Sequence, residues 1–107
     1  MKLWIDDVRK PPDGYRACKT VNEAKRIIED YELMSKASNG KLYYDIELID
    51  IDHDAGDYVN DGGDYIKLLD WLEETGRNYP IRIHSMNPVG VQNMRAIIKK
   101  NGWIEVR

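Results

Sequence analysis

The chain has 107 residues, 42% of them apolar and 33% charged, with a formal net charge of −3. This is the composition of one globular domain (1–107) that can bury a modest core, and its acidic balance excludes the basic stripe of a duplex nucleic-acid binder. The lone Cys18 excludes an internal disulfide, and no apolar run or signal peptide points to a membrane, so a cytoplasmic setting is expected.

Leu3-Trp4-Ile5 is short and wholly apolar, as a strand buried on both faces requires, and Asp6-Asp7 closes it. Residues 8–15, with Pro11, Pro12 and Gly14, read as a loop, and residues 16–19 as a short edge strand. Thr20 with Glu23 three residues later is a capping box. Val21, Ala24, Ile27, Ile28 and Tyr31 then follow at helical spacing.

Asn39-Gly40 marks a turn before a strand over 45–52, which ends in Asp52-His53-Asp54. Residues 56–63 form a polar, glycine-containing loop. Tyr65, Leu68, Leu69 and Leu72 give one face of a second helix, which Gly76 ends. A strand over 81–84 closes with His84-Ser85. Asn87-Pro88 starts a third helix, with Val91, Met94, Ile97 and Ile98 inward, Lys99-Lys100 at its negative end and Gly102 as its stop. A last strand is expected over 103–106. Strands alternating with helices imply a parallel sheet with right-handed crossovers, in a three-layer α/β sandwich.

If the runs ending at Asp6, Asp52 and His84 are neighbouring parallel strands, their polar ends meet on the edge where open α/β sheets bind ligands. Asp6, Asp7 and Asp52 then offer an oxygen-only cage for Mg²⁺ or Mn²⁺, which needs few carboxylates when waters and phosphate oxygens complete the shell. The plainer alternative is that each acid caps its own turn. Clustered like charges are costly unless something neutralises them, which favours the cage for the set as a whole. Asp50 alternates onto the face of Asp52, either inward toward the site or paired with a lysine.

His84 is placed to hand a proton to a leaving oxygen, or to pack at the strand end. Ser85 can donate to a phosphate oxygen. His53-Asp54 superficially resembles the dyad of metal phosphohydrolases, but the chain holds only two histidines, so His53 reads as solvent-facing or as a supporting donor. Asp54 can orient or deprotonate a water. Asn87, with the N–H groups of Val89 and Gly90 at the helix start, makes a phosphate seat alongside plain capping. Arg9 can clamp a phosphate bidentately or pair with Asp13. Asn93, one turn into that helix, is a weaker candidate. Trp4, Trp71 and Trp103 read as core, leaving Tyr58 as the aromatic able to stack on a base.

Three segments carry a resemblance: Leu3-Trp4-Ile5-Asp6-Asp7-Val8-Arg9-Lys10-Pro11-Pro12, Ile51-Asp52-His53-Asp54, and the run from Ile83-His84-Ser85-Met86-Asn87-Pro88-Val89-Gly90 to Met94. The chain resembles the receiver fold of two-component signalling and, more specifically, the cyclic-phosphate processing receiver domain family. The resemblance implies a flavodoxin-like sheet and a role in binding or hydrolysing cyclic phosphates, such as cyclic nucleotides or RNA 2',3'-cyclic ends. It implies a small phosphate-bearing partner, and either a divalent-metal phosphodiesterase or a non-catalytic module that binds a cyclic nucleotide or a protein. Signalling receivers carry a lysine after the fifth strand and lack the two motif histidines. Here Val106-Arg107 follows instead, so a phosphoaspartate switch at Asp52 is not expected.

Overall fold

A computed structural model describes residues 1–107. Five parallel strands, β1 (Lys2–Ile5), β2 (Tyr15–Cys18), β3 (Leu48–Ile51), β4 (Ile81–Ile83) and β5 (Glu105–Val106), form one sheet in the order β2-β1-β3-β4-β5. Three helices, α1 (Val21–Ala37), α2 (Ile66–Glu74) and α3 (Pro88–Asn101), occupy the last three crossovers. This is the flavodoxin-like strand order, whose switch point lies between β1 and β3.

The expected parallel α/β sheet is present, but helices cover only one of its faces. Each of α1, α2 and α3 follows a crossover running the same way along the sheet, and right-handedness puts all three on one side. Leu3, Ile5, Ile49, Ile51 and Ile81 pack there with Val21, Ile28, Leu68, Leu69, Met94 and Ile98 in a single core. The crossover from β1 to β2 runs the opposite way and is a loop with two prolines, which supplies no helix for the far face. The third layer foreseen from the alternation of strands and helices is therefore missing. No helix is long and apolar enough to cross a membrane.

Local chemistry sets the element ends. Thr20 caps α1 by accepting the Glu23 N–H at 2.9 Å, while Glu23 reaches back to the N–H of Lys19 rather than of Thr20. Asn87 caps α3 through the Gly90 N–H at 3.0 Å, and Gly102 ends it with φ 67°. Strand β3 is shorter than its sequence pattern: only Leu48–Ile51 pair, and a 3₁₀ turn at Leu42–Tyr44 precedes it. A second 3₁₀ turn, Gly56–Tyr58, interrupts the polar loop.

Backbone bonds continue past the strands and level their ends. The N–H of Asp6 donates to Cys18 O, that of Asp52 to Ile5 O at 2.9 Å, and that of His84 to Ile51 O at 3.0 Å. The wholly buried Tyr65 adds a tie across the core, its hydroxyl donating to Lys19 O at 2.8 Å. Tyr65→Phe leaves that carbonyl without its donor and should cost about 1–2 kcal/mol. Urea unfolding checks this, with the midpoint falling and the slope unchanged.

Candidate functional site

Side chains alternate along a strand, so Trp4 and Asp6, Asp50 and Asp52, and Arg82 and His84 share one face. The register places Trp4 beside Asp50 and Asp50 beside Arg82. This is the helix-free face, and on it these residues form one connected chain of charges. Arg82 Nη1 pairs with Asp50 Oδ2 at 3.1 Å, and Asp50 Oδ1 meets His84 Nδ1 at 2.6 Å. His84 Nε2 meets Asp6 Oδ2 at 2.9 Å, Asp6 pairs with Arg9 Nε at 2.9 Å, and Arg9 Nη2 reaches Asp52 Oδ2 at 3.2 Å. Asp50, Asp6 and Asp52 are all buried.

Both nitrogens of His84 face carboxylates, Nδ1 toward Asp50 and Nε2 toward Asp6. The imidazole lies flat on Trp4, with ring centroids 3.8 Å apart and planes 4° from parallel, which fixes the plane in which both nitrogens point. The Trp4 Nε1–H donates to Arg9 O at 3.0 Å, fixing the loop that carries Arg9. Trp4 is therefore core and also the platform under His84.

The cage residues fall together. Ligand oxygens of Asp6, Asp7 and Asp52 all lie within 4.8 Å of one another. Burial opposes the charge on Asp6, but the N–H groups of Arg9 and Val8, then His84 and the Arg9 guanidinium, outweigh it and hold the carboxyl below its ordinary range. Asp7 is different. Burial raises it, and the Asp6 and Asp52 charges raise it further, against only its own backbone N–H. No cation pairs with its carboxylate, which packs against the 3₁₀ turn where a Cβ on Gly56 would collide with it.

Several expectations need correcting. His84 is not placed to give a proton to a leaving group: its side chain is 7% exposed and both nitrogens are taken. Arg9 is neither free for a phosphate nor paired with Asp13, because its guanidinium bridges Asp6 and Asp52. The Gly90 N–H is spent on the Asn87 cap, and Gly90 makes room for the His53 ring rather than for a ligand. Asn87 also turns its amide toward Asp54, at 3.4 Å. Of the foreseen phosphate seat, the Ser85 hydroxyl and the Val89 N–H keep donors to spare. Ser85 Oγ accepts from Asn87, and Val89 sits in the first turn without an intrahelical acceptor.

His53 is a supporting residue at the rim, its Nδ1 2.8 Å from Asp54 Oδ1. Asp50 points to His84 and Arg82, so its basic partner is an arginine and not the lysine expected. Sequence reasoning missed Arg82. Its only signal was its position two residues before His84 on a strand, which means nothing until the neighbouring strand is known. Cys18 is buried, and burial pushes its thiol up to about 12, so it is no nucleophile.

A parallel 2-1-3-4-5 sheet with acidic residues at its β1/β3 switch point defines a receiver-like domain. The chain belongs to the family described as the cyclic-phosphate processing receiver domain, whose model matches residues 1–100. No curated protein and no solved structure matches the chain.

Two predictions follow from the charges. His84→Ala takes one partner from each of Asp50 and Asp6, which keep Arg82 and Arg9, and should destabilise the fold by about 1–3 kcal/mol; an unchanged midpoint in urea unfolding would remove His84 from the charge chain as a structural element. Asp7 has its folded value above the unfolded one, so stability falls as pH rises through the folded value. In chelator, Asp7→Asn should raise the melting temperature at pH 7 and leave it unchanged below the unfolded carboxylate range. Asp6, held low, has the opposite sign, and its contribution is lost as pH drops through its folded value.

Proposed function

We propose that the domain processes a cyclic phosphate at the β1/β3 edge by metal-assisted hydrolysis. The carrying observation is the set of three carboxylates with ligand oxygens within 4.8 Å of one another, one of which, Asp7, has no cationic partner. An all-oxygen donor set suits Mg²⁺ or Mn²⁺, and uncompensated charge at Asp7 supplies the attraction. Asp7, Asp52 and Asp6 would hold the ion. When bound, such a cation polarises a phosphoryl group and lowers the pKa of an attacking water.

The remaining roles belong to the chain itself. Arg9, released from Asp52 when a cation takes over that carboxylate, would turn its guanidinium to a phosphate oxygen. Ser85 and the Val89 N–H would stabilise the charge added at phosphorus. Asp54, 58% exposed and held by His53, would take a proton from water. In the reaction a water oxygen bonds to phosphorus, one ring P–O bond breaks, and the freed oxygen leaves as a hydroxyl after gaining a proton from solvent. A small phosphate-bearing ligand in the cytoplasm fits the reading, in keeping with the buried, unpaired Cys18 thiol.

One observation favours a second reading, a non-catalytic module that binds a cyclic nucleotide. His84, the expected acid, is sealed between Asp50 and Asp6, and binding needs no acid.

Millimolar Mn²⁺ or Mg²⁺ should raise the melting temperature of the wild type. Asp7→Asn should abolish that gain while melting higher than wild type in chelator. Asp52→Asn should stay folded and lose the gain as well. A melting temperature indifferent to both ions overturns the metal-assisted reading. Chromatography of adenosine 2',3'-cyclic phosphate after incubation with protein and Mn²⁺ separates the two readings: a ring-opened monophosphate supports hydrolysis, and tight binding with the ligand recovered intact supports the module.

A further inference from the structure

We infer that Lys19 is a phosphate-binding residue of the acidic edge, its ammonium taking an oxygen of the phosphate whose cation sits on Asp7. The inference rests on the reading of the cluster as a cyclic-phosphate site and adds a recognition residue on its β2 side.

The sheet sets its position. Ile5 is in register with Cys18, so Asp6-Asp7 and Lys19 leave the carboxyl edge side by side. The Asp6 N–H donates to Cys18 O, which keeps the two strands paired one step further. Lys19 is then pinned through its own backbone. Its N–H donates to Glu23 Oε1 at 2.9 Å, and its carbonyl accepts the hydroxyl of the buried Tyr65 at 2.8 Å. The side chain runs back toward β1, where the ammonium donates to the main-chain oxygen of Asp7 at 3.1 Å. The Tyr58 ring centroid stands 5.6 Å from that ammonium, a contact that favours a cation there.

The charges point to a ligand. Lys19 and Asp7 touch, yet their ammonium and carboxylate make no ion pair. The carboxylate lies instead against the Gly56–Tyr58 turn, where a Cβ on Gly56 would collide with it. One acid is left without a cation, and the cation beside it without an anion. Arg9, Arg82 and His84, by contrast, all face carboxylates. A metal–phosphate pair satisfies both groups at once, its ion on the carboxylate and its oxygen on the ammonium. The lengths allow it. The main-chain and carboxylate oxygens of one aspartate are at most about 6 Å apart, so the ammonium lies within about 9 Å of the carboxylate. An ion that takes each oxygen at about 2.1 Å, with an ammonium bond of about 2.8 Å, leaves room for one phosphate in that span. Lys19 is exposed and can follow the ligand directly, whereas Arg9 must first leave Asp52.

The test uses the full chain as wild type, Lys19→Met and Lys19→Arg, titrated with Mn²⁺ alone and then with adenosine 2',3'-cyclic phosphate in Mn²⁺. Affinity is read by calorimetry, or as KM where the ring opens during the titration. Lys19→Met keeps the stem and removes the charge. It should weaken the cyclic phosphate roughly 10- to 150-fold, the worth of a hydrogen bond to a charged group. It should bind Mn²⁺ at least as tightly as the wild type, because a positive neighbour of the ion has gone. Lys19→Arg should keep most of the phosphate affinity, since a charged donor remains. A lysine that only supports the loop would weaken ion and phosphate together, and that outcome overturns the inference. Unchanged phosphate affinity in Lys19→Met, with the wild type binding both, overturns it as well and leaves the phosphate site standing. A wild type that binds Mn²⁺ but no cyclic phosphate, or neither, overturns the cyclic-phosphate reading and the role of Lys19 together.

Discussion

The burial of three aspartates on one sheet face is the constraint on which the rest of the structure depends. Asp6, Asp50 and Asp52 are nearly inaccessible, and unpaired carboxylates there would each carry a large desolvation cost. The solution is strict alternation of acids with nitrogen-bearing side chains: Arg82, Asp50, His84, Asp6, Arg9 and Asp52 follow one another with a bond at every step and an arginine against each acid. His84 is the middle member, and Trp4 beneath it stiffens both its plane and the Arg9 loop.

Asp7 stands outside this alternation. The chain of charges is complete without it, so its negative charge is surplus, and burial, then the Asp6 and Asp52 charges, push its carboxyl up. Two arginines and a histidine serve three acids, and the fourth, at the β1/β3 switch point, is left without a cationic partner. Arg9 is the most exposed partner in the chain, 44% accessible, and its bond to Asp52 is the longest of those it makes, at 3.2 Å. Deep and shallow members of the network thus divide the labour, with His84 and Asp50 holding geometry while Asp7 and Arg9 meet solvent.

The missing helix layer explains why polar residues can hold this face. A helix packed there would demand apolar side chains at Asp50, Arg82 and His84, as the opposite face supplies at Ile49, Ile51 and Ile81. With only the proline-containing loop across β1, the face carries a charged network in place of a second core. The same loop brings Arg9 within reach of two strand ends.

The sequence by itself determined the elements and the edge at which chemistry gathers. Apolar runs, caps and glycine stops marked each strand and helix within a few residues, because those signals are local. The clustering of Asp6, Asp7 and Asp52 was legible because parallel strands with polar ends must bring those ends together. Tertiary structure alone decided who pairs with whom. A histidine after a strand reads alike whether it faces a ligand or two buried carboxylates; the register of β3 against β4 made it the latter. Arg9, Gly90 and Arg82 took their roles the same way, from neighbours distant in sequence. The number of layers was likewise beyond periodicity, since it follows from the direction of each crossover, and a direction exists only once the strands have an order.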